Sequence, residues 1–172
     1  MIEKEVKKKK IYDRKTAFLK AQHYCAYQER SQQEVRNKLY DWGLHHDEVE
    51  NVIVDLLEQN FINEERFAVL FAGGKFRIKK WGKNKIKNEL KLRKISVYCI
   101  RKALESIDDD EYMLTLKQLI QKKTALTKEK NKFKKFSKIA GFAISKGYEP
   151  ELVREIMKGE EDGSIRKVEG II

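Results

Sequence analysis

Apolar residues recur at helical spacing along most of this chain. The clearest stretch runs from Arg30 to Ala68, RSQQEVRNKLYDWGLHHDEVENVIVDLLEQNFINEERFA. Ser31 with Glu34 forms a capping box: the Ser hydroxyl can accept the Glu34 N–H and the carboxylate can accept the Ser31 N–H. Val35 and Leu39 follow at i, i+4, and Gly43 in Trp42-Gly43-Leu44 is free to take a positive φ where that helix stops. Asp47 is placed to cap a second helix. Its Val49, Val52, Ile53 and Leu56 fall at i, i+3, i+4, i+7, one face of a 3.6-residue period. Phe61-Ile62 closes the unit, and Asn63 can cap a third helix entered by Phe67 and Ala68.

The same pattern extends both ways. Upstream, a helix is predicted over 16–29, with Ala17, Ala21, Tyr24 and Cys25 on one side. Downstream, the helix from Asn63 to about Lys80 carries Phe67, Leu70, Phe71 and Phe76. Gly73-Gly74 inside it points to a kink or a close helix crossing, because two interior glycines cost about 1 kcal/mol each relative to Ala. Gly82 then stands 51 residues after Ser31, and the frame repeats. Val35, Leu39, Leu44, Val49, Val52 and Ile53 fall on Ile86, Leu90, Ile95, Ile100, Ala103 and Leu104. A further shift of 53 residues gives Ile139, Ala143, Tyr148, Val153, Ile156 and Met157. Gly147 matches Gly43, whereas the second copy has Lys94 at that stop. A helix from Asp109 to Leu126 opens the third copy, and Glu149-Pro150 suits the start of its last. Ungapped correspondence over this length indicates an internal repeat. The predicted fold is all-α, three tandem three-helix repeats at 16–62, 63–107 and 108–158. A basic flexible arm (1–15, with Lys7 to Lys10 in a row) and a flexible tail (159–172) flank them.

Composition supports helices, with one Pro and nine Gly in 172 residues. A net charge of +11 points to a polyanionic partner or to a solvated lysine-rich surface. Cys25 and Cys99 lie far apart, each within a predicted helix, which argues against a disulfide scaffold. The N-terminal MIEKEVKKKK lacks an apolar signal run, and no apolar stretch is long enough to span a bilayer. The expected setting is the cytoplasm, with no membrane partner.

The position of the charge says more than its total. Between Lys75 and Lys102 twelve basic residues face Glu89 alone, and between Lys117 and Lys138 nine lysines face Glu129 alone. The stretch 41–65 is purely acidic. Lys83, Lys87, Lys91 and Lys94 recur at i, i+4, i+8, i+11, a stripe expected opposite the core. Like charges at such spacing repel, so the pattern suits a partner that neutralises them. Lysines matched to phosphates gain affinity through counterion release, with little sequence readout. The candidate binding residues are therefore Lys75, Arg77, Lys79, Lys80, Lys83, Lys87, Lys91, Arg93, Lys94, Lys128, Lys132, Lys134 and Lys135. Trp81, Phe76 and Tyr98 could stack on bases or pack in the core. The acidic stretch could face a basic protein surface or simply water.

Catalytic and cofactor patterns are missing. His23, His45 and His46 have no metal-ligand spacing with Cys or Asp/Glu. Gly73-Gly74 lacks the Gly-Lys-Ser/Thr context of a phosphate loop. Asp108-Asp109-Asp110-Glu111 sits at a helix start, where acids suit the dipole. No enzyme activity, metal or cofactor is expected.

Arg30-Ser31, Glu34, Leu39, Gly43, the run Val49 to Leu57, Phe61-Ile62-Asn63 and Glu65-Arg66-Phe67-Ala68 together resemble RecX, the bacterial regulatory family that acts on the RecA recombinase. Gly82, Ile86, Leu90 and Ile95 carry the likeness into the second copy. The resemblance implies an elongated, curved, solenoid-like array that binds RecA and RecA–single-stranded DNA filaments. It also implies that the protein modulates, mainly inhibits, strand exchange, ATP hydrolysis and the coprotease activity, in DNA repair, recombination and the SOS response. A monomer is expected, with Arg30, Glu34 and Arg66 as possible protein contacts. The rival readings are a general nucleic-acid-binding helical repeat without RecA and a protein scaffold whose charge is incidental.

Overall fold

The computed structural model describes residues 11–161. Among them every regular element is an α-helix. The helices are α1 (Arg14–Tyr27), α2 (Gln32–Asp41), α3 (His46–Glu58), α4 (Glu64–Lys79), α5 (Lys83–Leu92), α6 (Val97–Glu105), α7 (Asp109–Leu126), α8 (Lys132–Ser145) and α9 (Pro150–Glu161). They form three successive three-helix units. The stretches Met1–Lys10 and 162–172, which hold most of the expected arm and tail, lie outside the described residues.

The repeat has a backbone cause. Each middle helix ends in one left-handed residue: Gly43 at φ 89°, Lys94 at φ 58° and Gly147 at φ 100°. In each case that residue's N–H bonds the carbonyl three back, at 2.8–3.0 Å. The next N–H reaches the carbonyl five back, at 3.2–3.3 Å: Leu44 to Leu39, Ile95 to Leu90, Tyr148 to Ala143. This is the Schellman closure, which satisfies two orphan carbonyls and turns the following residue inward. Leu44, Ile95 and Tyr148 are accordingly buried. Of the eighteen positions aligned by the repeat, all are buried except Leu104, which is half-buried.

Caps follow the sequence in most places. Ser31 and Glu34 form the reciprocal box, Ser31 Oγ accepting at 3.2 Å and Glu34 Oε2 at 2.9 Å. Asn63 accepts the Arg66 N–H at 2.9 Å. Three expectations need correction. His45, not Asp47, is the N-cap of α3, and the Glu48 carboxylate accepts its N–H at 3.0 Å. Asp13 starts α1 two residues early by accepting the Thr16 N–H. Its neighbour Tyr12 donates its N–H to Trp42 O, so residues 11–13 pack on the first unit rather than belonging to a free arm. Finally, α4 runs unbroken through Gly73-Gly74. The nearest atoms to a Cβ at Gly73 belong to Arg77 of the same helix, and a Cβ at Gly74 would meet nothing.

The three units share the apolar core unequally. The first buries its own cluster, including Val35, Leu39, Val52 and Leu56. The second and third share one continuous cluster that runs from Phe67 to Met157. Their junction is a backbone approach. Gly82 N–H bonds Lys146 O at 2.9 Å and Asn84 N–H bonds Gly147 O at 3.0 Å. A Cβ on Gly82 would collide with the Gly147 carbonyl, and one on Gly147 with Lys85. Gly82 therefore replaces the better-capping Ser31 of the first unit for want of space. Tyr112 seals this seam: its hydroxyl accepts the Lys83 N–H at 2.9 Å and donates to Glu149 at 2.8 Å. Burial pushes the Tyr112 hydroxyl far above the ordinary phenol range. Between the first and second units the link is ionic instead. Arg66 pairs with Glu29 at 2.6 Å, and Arg93 lies 3.9 Å from Glu34.

Two stability predictions follow from these turns. Lys94→Gly should raise unfolding free energy by about 0.5–1 kcal/mol, because left-handed strain of about 1–2 kcal/mol is relieved and only partly offset by the freer unfolded chain. Gly82→Ala should lower it by about 1–3 kcal/mol through overpacking at the seam. Urea unfolding followed by circular dichroism measures both; a Gly82→Ala variant as stable as the parent would contradict the seam geometry.

Candidate nucleic-acid interface

Most basic residues of the second unit sit on the C-terminal half of α4, on the reversal after it and on α5 with the turn that ends it, while Arg101 and Lys102 lie on α6. Lys80 takes a left-handed conformation, φ 53°, and Trp81 N–H reaches back to Lys75 O at 3.3 Å. That reversal places Trp81 beside Lys75. The result is an alternating file of cations and rings. Arg93 lies over Phe71 at 4.7 Å, and Lys75 lies over both Phe71 at 5.1 Å and Trp81 at 5.2 Å. Lys85 lies over Trp81 at 4.8 Å. Arg77, Lys79 and Lys80 are exposed nearby in sequence.

The stripe on α5 is not opposite the core. Lys83 is only 24% exposed, pairs with Asp109 at 2.7 Å and covers the Tyr112 ring. The Lys83 ammonium holds the Asp109 carboxyl below its usual range. The stripe therefore runs along the edge of the core, with Lys87, Lys91 and Lys94 exposed beyond it. Lys83 and Lys87 border a groove of about 420 Å³ whose floor is Val97, Ile100 and Leu104. Arg93 is also engaged within the chain, bonding Glu89 at 2.7 Å.

Of the candidate stacking residues, Phe76 is buried in the core and has no free face. Tyr98 is half exposed, with Arg101 and Lys102 within 6 Å of its ring. Trp81 is half-buried against the core, with the Lys75 and Lys85 ammonium groups 5.2 and 4.8 Å from its ring. The sequence reading overlooked Phe133, 82% exposed between Lys132 and Lys134 at the start of α8. Three residues on, Phe136 packs on the core. Lys128, Lys132 and Lys134 are exposed and Lys135 is half-buried, whereas nearby Lys138 pairs with Glu129 at 2.7 Å.

Of the residues expected as possible protein contacts, Glu34 and Arg66 take part in the ionic link between units. Arg66 also donates to Asn60 O at 3.0 Å, and Glu34 serves the capping box. Arg30 stacks on Tyr24 at 4.1 Å. The acidic stretch is partly consumed the same way. Glu50 accepts both Arg36 nitrogens, at 2.6 and 2.9 Å, which lowers its pKa. Asp55 pairs with Arg14, and Glu64 accepts the Ser96 N–H. Asp47, Glu58 and Glu65 stay exposed.

Among the described residues no three His, Cys, Asp or Glu side chains gather as metal ligands. Cys25 is buried, and desolvation with the neighbouring Glu29 carboxylate pushes its thiol up to about 11. No described helix is long and apolar enough to cross a membrane.

Comparison with known proteins agrees with this architecture. Family models match in three places: RecX, first three-helix domain, at 17–56; second three-helix domain, at 63–104; third three-helix domain, at 109–157. The chain is 30% identical over 131 residues to Regulatory protein RecX of Clostridium perfringens, covering 75% of this chain and 61% of that protein. The corresponding protein of Clostridium tetani is 33% identical over 130 residues, covering 74% and 59%. The chain thus spans about three-fifths of the length of these curated relatives. A crystal structure of RecX from Lactobacillus salivarius superposes with a TM-score of 0.77 at 22% identity, over 86% of this chain and 96% of that one. A second, titled regulatory protein RecX, gives 0.78 at 19% identity, over 84% and 71%. At these identities the solved structures speak for the fold, and the family models and relatives for descent: this chain belongs to the RecX family.

Proposed function

We propose that this chain binds RecA and RecA–single-stranded DNA filaments and restrains the recombinase without chemistry of its own. The observation that carries the reading is the one-signed placement of exposed lysines on the second and third units of a RecX-family chain. Lys79, Lys80, Lys87, Lys91 and Lys94 form one exposed set, and Lys128, Lys132 and Lys134 the other. These lysines contact phosphates of the strand held by the filament, which explains why their mutual repulsion is tolerated. The exposed acids Asp47 and Glu58 on α3 give the first unit the opposite sign, suited to basic recombinase surfaces. Inhibition follows from bridging neighbouring subunits and blocking their rearrangement. The protein works as a monomer in the cytoplasm, with RecA and single-stranded DNA as partners.

Two outcomes are expected. Sub-stoichiometric amounts of the chain should suppress RecA's DNA-dependent ATPase and strand exchange; if both proceed untouched, the reading fails. Lys87→Glu/Lys91→Glu/Lys94→Glu should weaken filament binding and lower the slope of log affinity against log salt by about three, one for each lost phosphate contact. An unchanged slope would move the contact surface elsewhere on the chain.

A further inference from the structure

The file Arg93–Phe71–Lys75–Trp81–Lys85 is more than a set of lysines. Each ring has a cation over it at 4.7–5.2 Å, and Lys75 is shared by two rings. Its inner end opens into a cleft of about 340 Å³ between the first and second units. That cleft has Leu70 and Ile78 on its wall, 54% and 78% exposed. It also has Lys75, Lys79 and Arg30, whose Nε–H has no acceptor. Exposed aliphatic surface beside two half-buried rings that pack on the core, all threaded with cations, matches the two halves of an unpaired nucleotide. Its faces want a ring or an aliphatic wall, and its phosphate wants an ammonium or guanidinium. Duplex DNA has its base faces already stacked and offers phosphates and groove edges but no free ring face.

We propose that this file and the cleft it enters form a base-stacking path for single-stranded nucleic acid, with Trp81 as the platform. The inference rests on the phosphate-binding reading above and adds contact to the bases. On binding, a base takes one face of Trp81 and the displaced lysine swings to the adjoining phosphate. Stacking on an aromatic ring outweighs one exposed cation–π contact, and the lysine keeps an anionic partner, so the exchange is favourable. Leu70 and Ile78 cover the next base, and Lys79 and Arg30 hold its phosphate.

The test uses the whole chain carrying Trp42→Phe, which leaves Trp81 as its single indole. Labelled oligothymidylate, a duplex and heparin are titrated without RecA, with anisotropy reading binding and Trp81 emission reading stacking. Oligothymidylate should quench Trp81 by about half or more, while heparin, a polyanion without bases, binds without quenching. In the parent chain, Trp81→Leu should lose about tenfold in oligothymidylate affinity with heparin affinity within about twofold, and Trp81→Phe should recover most of the loss. Thermal melts of both variants separate a folding defect from a lost platform, and the emission of the Trp42→Phe chain decides the matter if Trp81→Leu does not fold. Oligothymidylate binding with no more quenching than heparin overturns the inference. So does an acidic peptide that occupies the cleft while the oligonucleotide does not bind. Absence of bare-strand binding with RecA inhibition intact removes the platform and leaves the RecA reading standing. Quenching without any effect on RecA does the reverse.

Discussion

The left-handed closure after each middle helix is the constraint on which the rest of the molecule depends. A helix that simply frayed would leave its last carbonyls in want of donors and its next apolar residue pointing nowhere in particular. One residue at positive φ supplies two donors and aims Leu44, Ile95 or Tyr148 into the core. The three turns are chemically unequal. Gly43 and Gly147 take the conformation freely, whereas Lys94 bears a side chain there. Gly147 has a second task, since its carbonyl receives the start of α5. A single turn thus closes the third unit internally and fixes it to the second.

The same economy explains how the basic surface is displayed. Lys80 is another left-handed stop, and without it Trp81 would not fold back over Lys75. The cations are held by rings and by a few carboxylates rather than buried, so their charge stays available to a ligand. Arg93 is the exception, tied to Glu89 and set beside Glu34. Its role is to hold α5 beside the first unit, and in doing so it covers one face of Phe71.

The fold was readable because its signals are local and repeated. Capping residues, stop residues and apolar spacing are written within a dozen residues of one another, and three copies reinforce the frame. What failed was also local in cause. Asp47 looked like a cap by residue type, but the chain enters α3 two residues earlier, where Glu48 can reach back to His45. Gly73-Gly74 pointed to a kink or a close crossing, but α4 runs on through both, and the atoms nearest a Cβ at Gly73 belong to its own helix. The site was less legible. Charge counting marked out a region, yet it could not tell Lys83, which has a partner across the seam, from Lys87, which is exposed. Nor could it show that Glu34 and Arg66 are engaged between units, since Arg93 and Glu29 are distant from them in the sequence. Phe71 and Lys75, like Trp81 and Lys85, stand four residues apart, a spacing that charge counting passed over, whereas Arg93 reaches Phe71 only through tertiary approach.

The unequal division of the core has a mechanical consequence. The second and third units share apolar contacts and a glycine-to-glycine backbone approach, so they act as one stiff body. The first unit has its own core and meets that body through partly exposed ion pairs, each worth about 0–1 kcal/mol. Bending compliance therefore concentrates at a single seam, near α4, like a lever on a salt-softened hinge. A ligand that is itself helical and variable in pitch would be tracked by rotation at that one joint, with both cores left undisturbed.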